Sequence, residues 1–369
     1  MSRVAVATID LTVLKHNLLQ VRKAAPHSKI LAVIKANAYG HGLLPVAESL
    51  LDVDAFAVAH FEEAVALRQA FPEKQIVLLQ GYADDVELAL LLSQQIQPVI
   101  HSLAQIDLLE EFAFKNPSRK ISVWLKLDTG MHRLGVTEDE FDECWARLNR
   151  IESLCDNVKL MSHFANADDV QHASNQQQSQ LFNKLTASLT CEKSLSNSAA
   201  LLSRPQDHYQ WVRPGIMLYG VSPFSDGSPL ADGLRPVMRL SARVIAVRHV
   251  KKAQAVGYGS CWRASEDTNI AVVGIGYGDG YPRHIAKNTP VLIKGKRYPI
   301  VGRVSMDMIC IDTGQDVFKM GDEVLLWGKD LPVEEIAKKA STIAYELLCQ
   351  VTPRVNFVYS KNACEKNHD

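Results

Sequence analysis

The sequence has 369 residues, too long for one ordinary compact domain and about right for two. Hydrophobic residues make up 47% of it and charged residues 22%, the composition of a soluble globular protein with a sizeable core. The net charge is -1 and the two signs are mixed along the chain, so neither nucleic acid nor a membrane surface is an expected partner.

The N-terminal residues run into Asp10 without an apolar stretch of signal-peptide length, and later apolar runs such as 89–92 are too short to cross a bilayer. Up to about residue 235, short apolar runs alternate with helical patterns. The strand candidates are 4–9, 30–34, 55–59, 76–79, 98–100, 121–127, 158–162, 194–196 and 209–212; helical stretches include 11–23, 61–70, 104–112 and 141–154. This alternation implies parallel βα units. Periodicity does not separate an open sheet from a closed barrel. Nine strand candidates exceed the eight of a (β/α)8 barrel, so one lies elsewhere. The first is the expected outlier, pairing with the C-terminal domain.

Residues 224–235 are rich in Gly, Pro, Ser and Asp and read as an exposed linker. Beyond them, strands are expected at 237–250, 271–275, 291–293, 308–311 and 323–326, with a helix pair at 333–340 and 343–348. The expected division is a barrel domain over 1–230 and a mostly β domain over 231–369. Seven cysteines (Cys144, Cys155, Cys191, Cys261, Cys310, Cys349 and Cys364) are odd in number and form no close pair. They read as reduced thiols of a cytoplasmic protein, not as disulfides or a metal site.

Lys35 directly follows the apolar run 30–34, at the C-terminal end of a strand, where barrel and open-sheet active sites collect. A partly desolvated amine there suits Schiff-base chemistry, although a surface lysine at a strand end looks the same. Taken singly, Arg213 reads as a salt-bridging arginine beside a proline. His163 reads as a satisfied histidine at a strand end, Ser198 as a helix cap and Tyr258 as a packing aromatic in a turn. The glycine-rich segment 276–280 lacks the order and the βαβ context of a nucleotide loop.

The strings around these residues say more. Ala-Val-Ile-Lys-Ala-Asn-Ala-Tyr-Gly-His-Gly around Lys35 closely resembles the cofactor-lysine signature of alanine racemases. Further matches follow in order: 126–135, 163–165, 197–199, 212–216, 218–220, 256–259, 276–280, 302–307 and 344–346. The resemblance implies a pyridoxal 5′-phosphate (PLP) barrel followed by a β domain, with L- and D-alanine interconverted through an aldimine by two bases. Lys35 would carry the cofactor. Tyr39, Ser198, Tyr345 and the backbone N–H groups of Gly215 and Ile216 would hold its phosphate.

Arg213 would face the pyridine nitrogen. Because an arginine donates a hydrogen bond and keeps its proton, that nitrogen stays unprotonated. His163 would pack beside the ring and bond Arg213. Arg133 would meet a phenolic oxygen or the substrate carboxylate, oriented by Lys126, which is carbamylated in many relatives. Tyr258 would be the second base, because one group cannot easily serve both faces of a pinned substrate. Tyr277 would narrow the entrance, and Met306 and Asp307 would lie near the substrate carboxylate and methyl. Position 305 is serine here, where some relatives carry cysteine. The family works as a homodimer, with Tyr258, Tyr277 and Met306 entering the partner's site.

Two other classes fit parts of this pattern. A PLP-dependent decarboxylase of the same layout usually sets an acidic residue against the pyridine nitrogen, where this chain has Arg213. A non-enzymatic PLP-binding protein resembles the barrel alone and has no use for Tyr258 or Met306.

Overall fold

The computed structural model describes residues 5–154, 158–224 and 228–361. Val4, Cys155, Cys364 and linker residues Ser225, Asp226 and Gly227 lie outside the described residues. The first strand, β1 (Val6–Asp10), does leave the barrel. It is followed by β2 (Lys29–Val33), β3 (Ala55–Val58), β4 (Gln75–Leu78), β5 (Gln97–Ile100), β6 (Trp124–Lys126), β7 (Lys159–Met161), β8 (Lys193–Ser194) and β9 (Trp211–Val212). Strands β2 to β9 pair in parallel, each with the next, and β9 returns to β2, closing a barrel. All four residues of β3 are buried. Helices outside and packed side chains inside leave no solvated face, so this strand reads as a continuous apolar run.

The second domain holds β10 (Met238–Val250), β11 (Ala255–Val256), β12 (Trp262–Arg263), β13 (Thr268–Val273), β14 (Pro290–Ile293), β15 (Lys296–Val301), β16 (Ile309–Gly314), β17 (Glu323–Trp327) and β18 (Asn356–Ser360). Its large sheet has eight strands in the order β13-β16-β15-β14-β17-β10-β1-β18. The long strand β10 bends at a bulge between Val244 and Ala246 and also pairs with β13, closing part of the sheet on itself. β1 lies between β10, antiparallel, and β18, parallel, so the two ends of the described chain meet in this sheet.

Helix Leu11–Ala24 carries the chain from β1 to the barrel. The Asp10 carboxylate caps it, accepting from Thr12 N at 2.9 Å and Val13 N at 3.0 Å. Its face of Leu11, Leu14, Leu18 and Val21 is buried at helical spacing. Buried among them, Asn17 donates to Leu218 O and Arg235 O and accepts from Arg235 N. These bonds tie the end of the linker to the barrel. The rest of the described linker is mostly exposed and includes a short 3-10 turn, Pro229–Ala231.

Candidate active site

The C-terminal ends of the barrel strands gather the first group of expected residues. Lys35 follows β2, Lys126 ends β6, His163 follows β7, and Arg213 follows β9. Helix Ser198–Ser203 follows β8. After Lys35 the backbone does something the sequence does not announce. Ala36, Asn37, Ala38 and Tyr39 all have φ between 51° and 55°, which makes a left-handed helical turn. Such a conformation costs roughly 1–2 kcal/mol per L-residue, and backbone strain of this kind gathers at functional sites. Gly40 ends the turn with φ 77°, and a Cβ there would lie 2.1 Å from Leu348 O. Helix Ala344–Gln350 of the second domain can approach this closely only because residue 40 is glycine.

Four basic side chains meet at the barrel mouth with few acids to balance them. Burial lowers the Lys35 pKa, and Arg133 lowers it further, against opposing effects of Cys349 and Glu63. Lys126 is drawn down to about 8, by burial first and then by Arg213, Arg133 and Lys35. His163 falls well below its ordinary value through burial and the same cations, so its ring is neutral near pH 7. Arg213 is buried, and desolvation brings it to about 10, which leaves it charged at neutral pH. The Arg133 guanidinium is exposed and makes no hydrogen bond or ion pair among the described residues.

Arg213 is held rigidly. Its Nη1 donates to Ser194 Oγ at 2.7 Å, and its Nη2 donates to Ser162 O at 2.5 Å and Leu195 O at 3.2 Å. Nη2 also lies 3.2 Å from His163 Nδ1. Since arginine only donates, Nδ1 accepts and the ring proton sits on Nε2. No described residue takes the Arg213 Nε–H. Ser162 and Ser194 carry no mark in the sequence; both lie at strand ends, but serine there is too common to stand out.

Tyr39, Ser198, Gly215, Ile216 and Tyr345 form one cluster. Ser198 Oγ accepts from Gly215 N at 2.9 Å and Met217 N at 3.4 Å. This corrects the reading of Ser198 as a helix cap: Asn197 is the cap, accepting from Ala200 N at 3.0 Å, which frees Ser198 to face the turn at Gly215. A Cβ on Gly215 would sit 2.6 Å from the Tyr39 hydroxyl. Tyr345, from the second domain of the same chain, brings its ring to 6.0 Å from that of Tyr39. Burial, with a smaller effect of Asp168, pushes the Tyr345 hydroxyl up to about 12. Tyr219 stacks on Tyr39 at 4.8 Å and His41 lies 4.6 Å from Tyr219, a buried support whose members stand in matched strings that give them no role.

The second group stands apart. Tyr258, Tyr277, Met306 and Asp307 lie on loops of the β domain, and no hydrogen bond, ion pair or ring contact among the described residues joins them to Lys35. The loops of Tyr277, Met306 and Asp307 do gather with one another. Tyr277 N donates to Ser305 O at 3.0 Å and Gly278 N to Met306 O at 2.8 Å. Arg283 stacks over the Tyr277 ring at 5.3 Å. Arg354, another residue the sequence does not flag, bridges Asp279 at 3.1 Å and Asp307 at 2.5 Å. Tyr258 follows Gly257, whose φ of 78° turns the chain out of β11, and it is 66% exposed.

Comparison with known proteins bears on both groups. The family described as alanine racemase, N-terminal domain, matches residues 9–223, and that described as alanine racemase, C-terminal domain, matches 237–359. An alanine racemase of Vibrio parahaemolyticus is 47% identical over 97% of this chain and 100% of its own. One of Vibrio cholerae is 47% identical over 97% of this chain and 98% of its own. The biosynthetic alanine racemase of Pseudomonas aeruginosa superposes with a TM-score of 0.92 at 42% identity, over 97% of this chain and 100% of its own. That of Bartonella henselae, solved with covalently bound pyridoxal phosphate, gives 0.91 at 31% identity, with the same coverage. With both domains matched in order and at these identities, the chain belongs to the alanine racemase family.

Proposed function

We infer that this chain interconverts L-alanine and D-alanine with PLP as its cofactor, moving a proton between the two faces of the substrate Cα. The observation that carries the reading is the Lys35 amine, set on a strained turn at the mouth of a closed barrel and depressed in pKa by burial and Arg133. The decarboxylase and carrier alternatives lose their support, because both racemase domains match.

The residues present fit the cofactor. The space that a Cβ at Gly215 would fill is bounded by the Tyr39 hydroxyl, and Ser198 and Tyr345 stand beside it. These hydroxyls, with the N–H of Ile216 and the N–H of Gly215 that here bonds Ser198 Oγ and would turn to the phosphate, make a neutral donor cradle suited to it. Bound PLP supplies an aldehyde for amines and a ring that draws electrons from Cα. Arg213, with both Nη atoms engaged, offers its Nε–H as a donor that never accepts, so a ring nitrogen facing it stays unprotonated. His163, neutral and bonded to Arg213, fixes that guanidinium from the side.

Lys35 Nζ takes or returns the Cα proton on one face, and burial, which lowers its pKa, favours the free amine this needs. Tyr258 serves the opposite face. Its exposed place on a loop of the β domain, without a contact to its own Lys35 among the described residues, supports a homodimer in which it enters the partner's site. The exposed Tyr258, Tyr277, Met306, Met308 and Ile343 supply apolar surface for that contact. Arg133, with no protein anion to neutralise it, is suited to a carboxylate or phenolic oxygen.

Carbamylation of Lys126 would add one such anion: an amine with a pKa of about 8 is available to carbon dioxide, and the product turns a repelled cation into a partner for Arg133. Met306 and Tyr277 would form a narrow slot that excludes larger side chains better than smaller ones. The described cysteines are free, which supports the reducing cytoplasm as its compartment. No described helix is long and apolar enough to cross a membrane.

Exchange of the Cα proton in D₂O tests the two roles. In Tyr258→Phe, racemisation should fall in both directions by roughly 10²- to 10⁴-fold, the usual loss for a deleted acid–base group. By the family resemblance Lys35 takes the proton of D-alanine and Tyr258 that of L-alanine, so D-alanine should still incorporate deuterium through Lys35, while L-alanine should barely exchange. Equal residual exchange of both enantiomers would remove Tyr258 from this role.

A further inference from the structure

The left-handed turn behind Lys35 needs something to hold it, and one of its restraints comes from outside. Glu63, on helix Phe61–Ala70 after β3, accepts from Asn37 N with Oε1 at 2.8 Å. Asn37 is the hinge of the turn. Its Oδ1 accepts from Leu43 N at 2.8 Å and its carbonyl from Gly42 N at 2.9 Å. Glu63 occupies the third position of its helix, where a glutamate ordinarily folds back onto the N–H of the capping residue. Here the cap, His60, has no side-chain bond, and Glu63 reaches to the neighbouring barrel unit instead.

The other oxygen of this carboxylate, Oε2, is buried with no hydrogen-bond partner. A bare buried carboxylate oxygen asks for an explanation, and nearby positive charge is one. The groups facing Lys35 are Glu63 from this helix, Lys126 and Arg133 from β6 and the loop after it, His163 after β7, and Cys349 from helix Ala344–Gln350. Against two cations and a neutral imidazole, Glu63 is the carboxylate that favours the protonated amine.

We propose that Glu63 is a positioning residue for the reaction: its carboxylate holds the left-handed turn that runs from the Lys35 amine to the Tyr39 hydroxyl, and its charge balances the cations around that amine. The proposal rests on Lys35 being the cofactor lysine. Glu63→Gln keeps an acceptor for Asn37 N–H and removes the charge, whereas Glu63→Ala removes both.

The test uses the cofactor-free full chain. Lys35 is labelled with an amine-reactive reagent across pH and quantified by peptide mass spectrometry, and PLP affinity is measured by equilibrium dialysis. Both variants should show the Lys35 labelling midpoint at lower pH than wild type, because losing a nearby negative charge disfavours the protonated amine. PLP affinity should stay close to wild type in Glu63→Gln and fall roughly tenfold or more in Glu63→Ala. A merely structural contact would leave the midpoint of a folded Glu63→Gln protein unmoved. An unshifted midpoint in Glu63→Gln, or wild-type PLP affinity in Glu63→Ala, overturns the proposal. Borohydride trapping of wild type separates the two ideas. An adduct on another lysine overturns the Lys35 reading and this proposal with it, whereas an adduct on Lys35 with an unshifted midpoint overturns only the role of Glu63.

Discussion

Crowded positive charge is the dominant feature at the scale of single residues. Lys126 sits among Arg213, Arg133 and Lys35, and its pKa of about 8 measures how badly a further proton is tolerated there. The unfolded chain would hold that proton up to its ordinary value near 10.5. Between about 8 and 10.5 the unfolded state therefore binds more protons, and native stability rises with pH across that window. Below it, the protonated amine opposes folding by something on the order of 3 kcal/mol.

Lys126→Met should accordingly stabilise the cofactor-free protein at pH 7 in carbonate-depleted buffer, with the advantage fading above pH 8. Bicarbonate should raise the melting temperature of wild type, by carbamylating Lys126, and leave that of the variant unchanged. Equal bicarbonate responses of the two proteins would remove the carbamylation reading. Of the residues in this cluster, Lys35, Lys126, Arg133, His163 and Arg213 are legible because they stand in unbroken motif strings. Glu63 and Ser194 are not. Their work is to hold other residues across long sequence separations, and a common residue type in a helix or strand carries no mark of that.

Elements behave differently from residues. Strands β2 to β5 fall within a residue of their expected bounds, since apolar runs set between helices have few other readings. Helix Glu138–Leu148 ends six residues before the expected 154, because the chain turns there to let Leu154 bridge Ile121. Helices Asp85–Ser93 and Ala173–Thr186 are absent from the sequence expectations. The first is apolar on nearly every side, and the second opens with a polar run, so neither shows a clear stripe. The left-handed turn is invisible in the sequence because Ala36, Ala38 and Tyr39 have no local preference for positive φ; tertiary bonds impose it.

Loops of the β domain are organised from a distance as well. Arg354 clasps Asp279 and Asp307, while Thr352 Oγ1 donates to Gly278 O at 3.0 Å. Together they fix the spacing of the loops that carry Tyr277 and Met306. Arg354 is half exposed, so Arg354→Met should change global stability little. The KM for alanine should nevertheless rise roughly tenfold, because small displacements of positioning groups are costly to binding geometry. A large fall in melting temperature with an unchanged KM would reduce Arg354 to a structural ion pair.

At the scale of the whole molecule, the fold places its chemistry at two separated addresses. The barrel mouth collects Lys35, Arg213 and the phosphate cradle, with Tyr345 reaching in from the second domain. Tyr258, Tyr277 and Met306 sit exposed on the β domain, with no hydrogen bond, ion pair or ring contact to their own lysine among the described residues. Motif strings identify the members of both groups but not this separation, because linear order carries no distance. In the proposed homodimer, a second copy of the chain completes the site.

The most direct test mixes two inactive proteins, Lys35→Ala and Tyr258→Ala, with subunit exchange verified by an independent label. If each site takes Lys35 from one chain and Tyr258 from the other, a mixed dimer has one site carrying both substitutions and one carrying neither, and alanine racemase activity returns. No recovery despite confirmed exchange would show that each site is built within one chain and contradict the account.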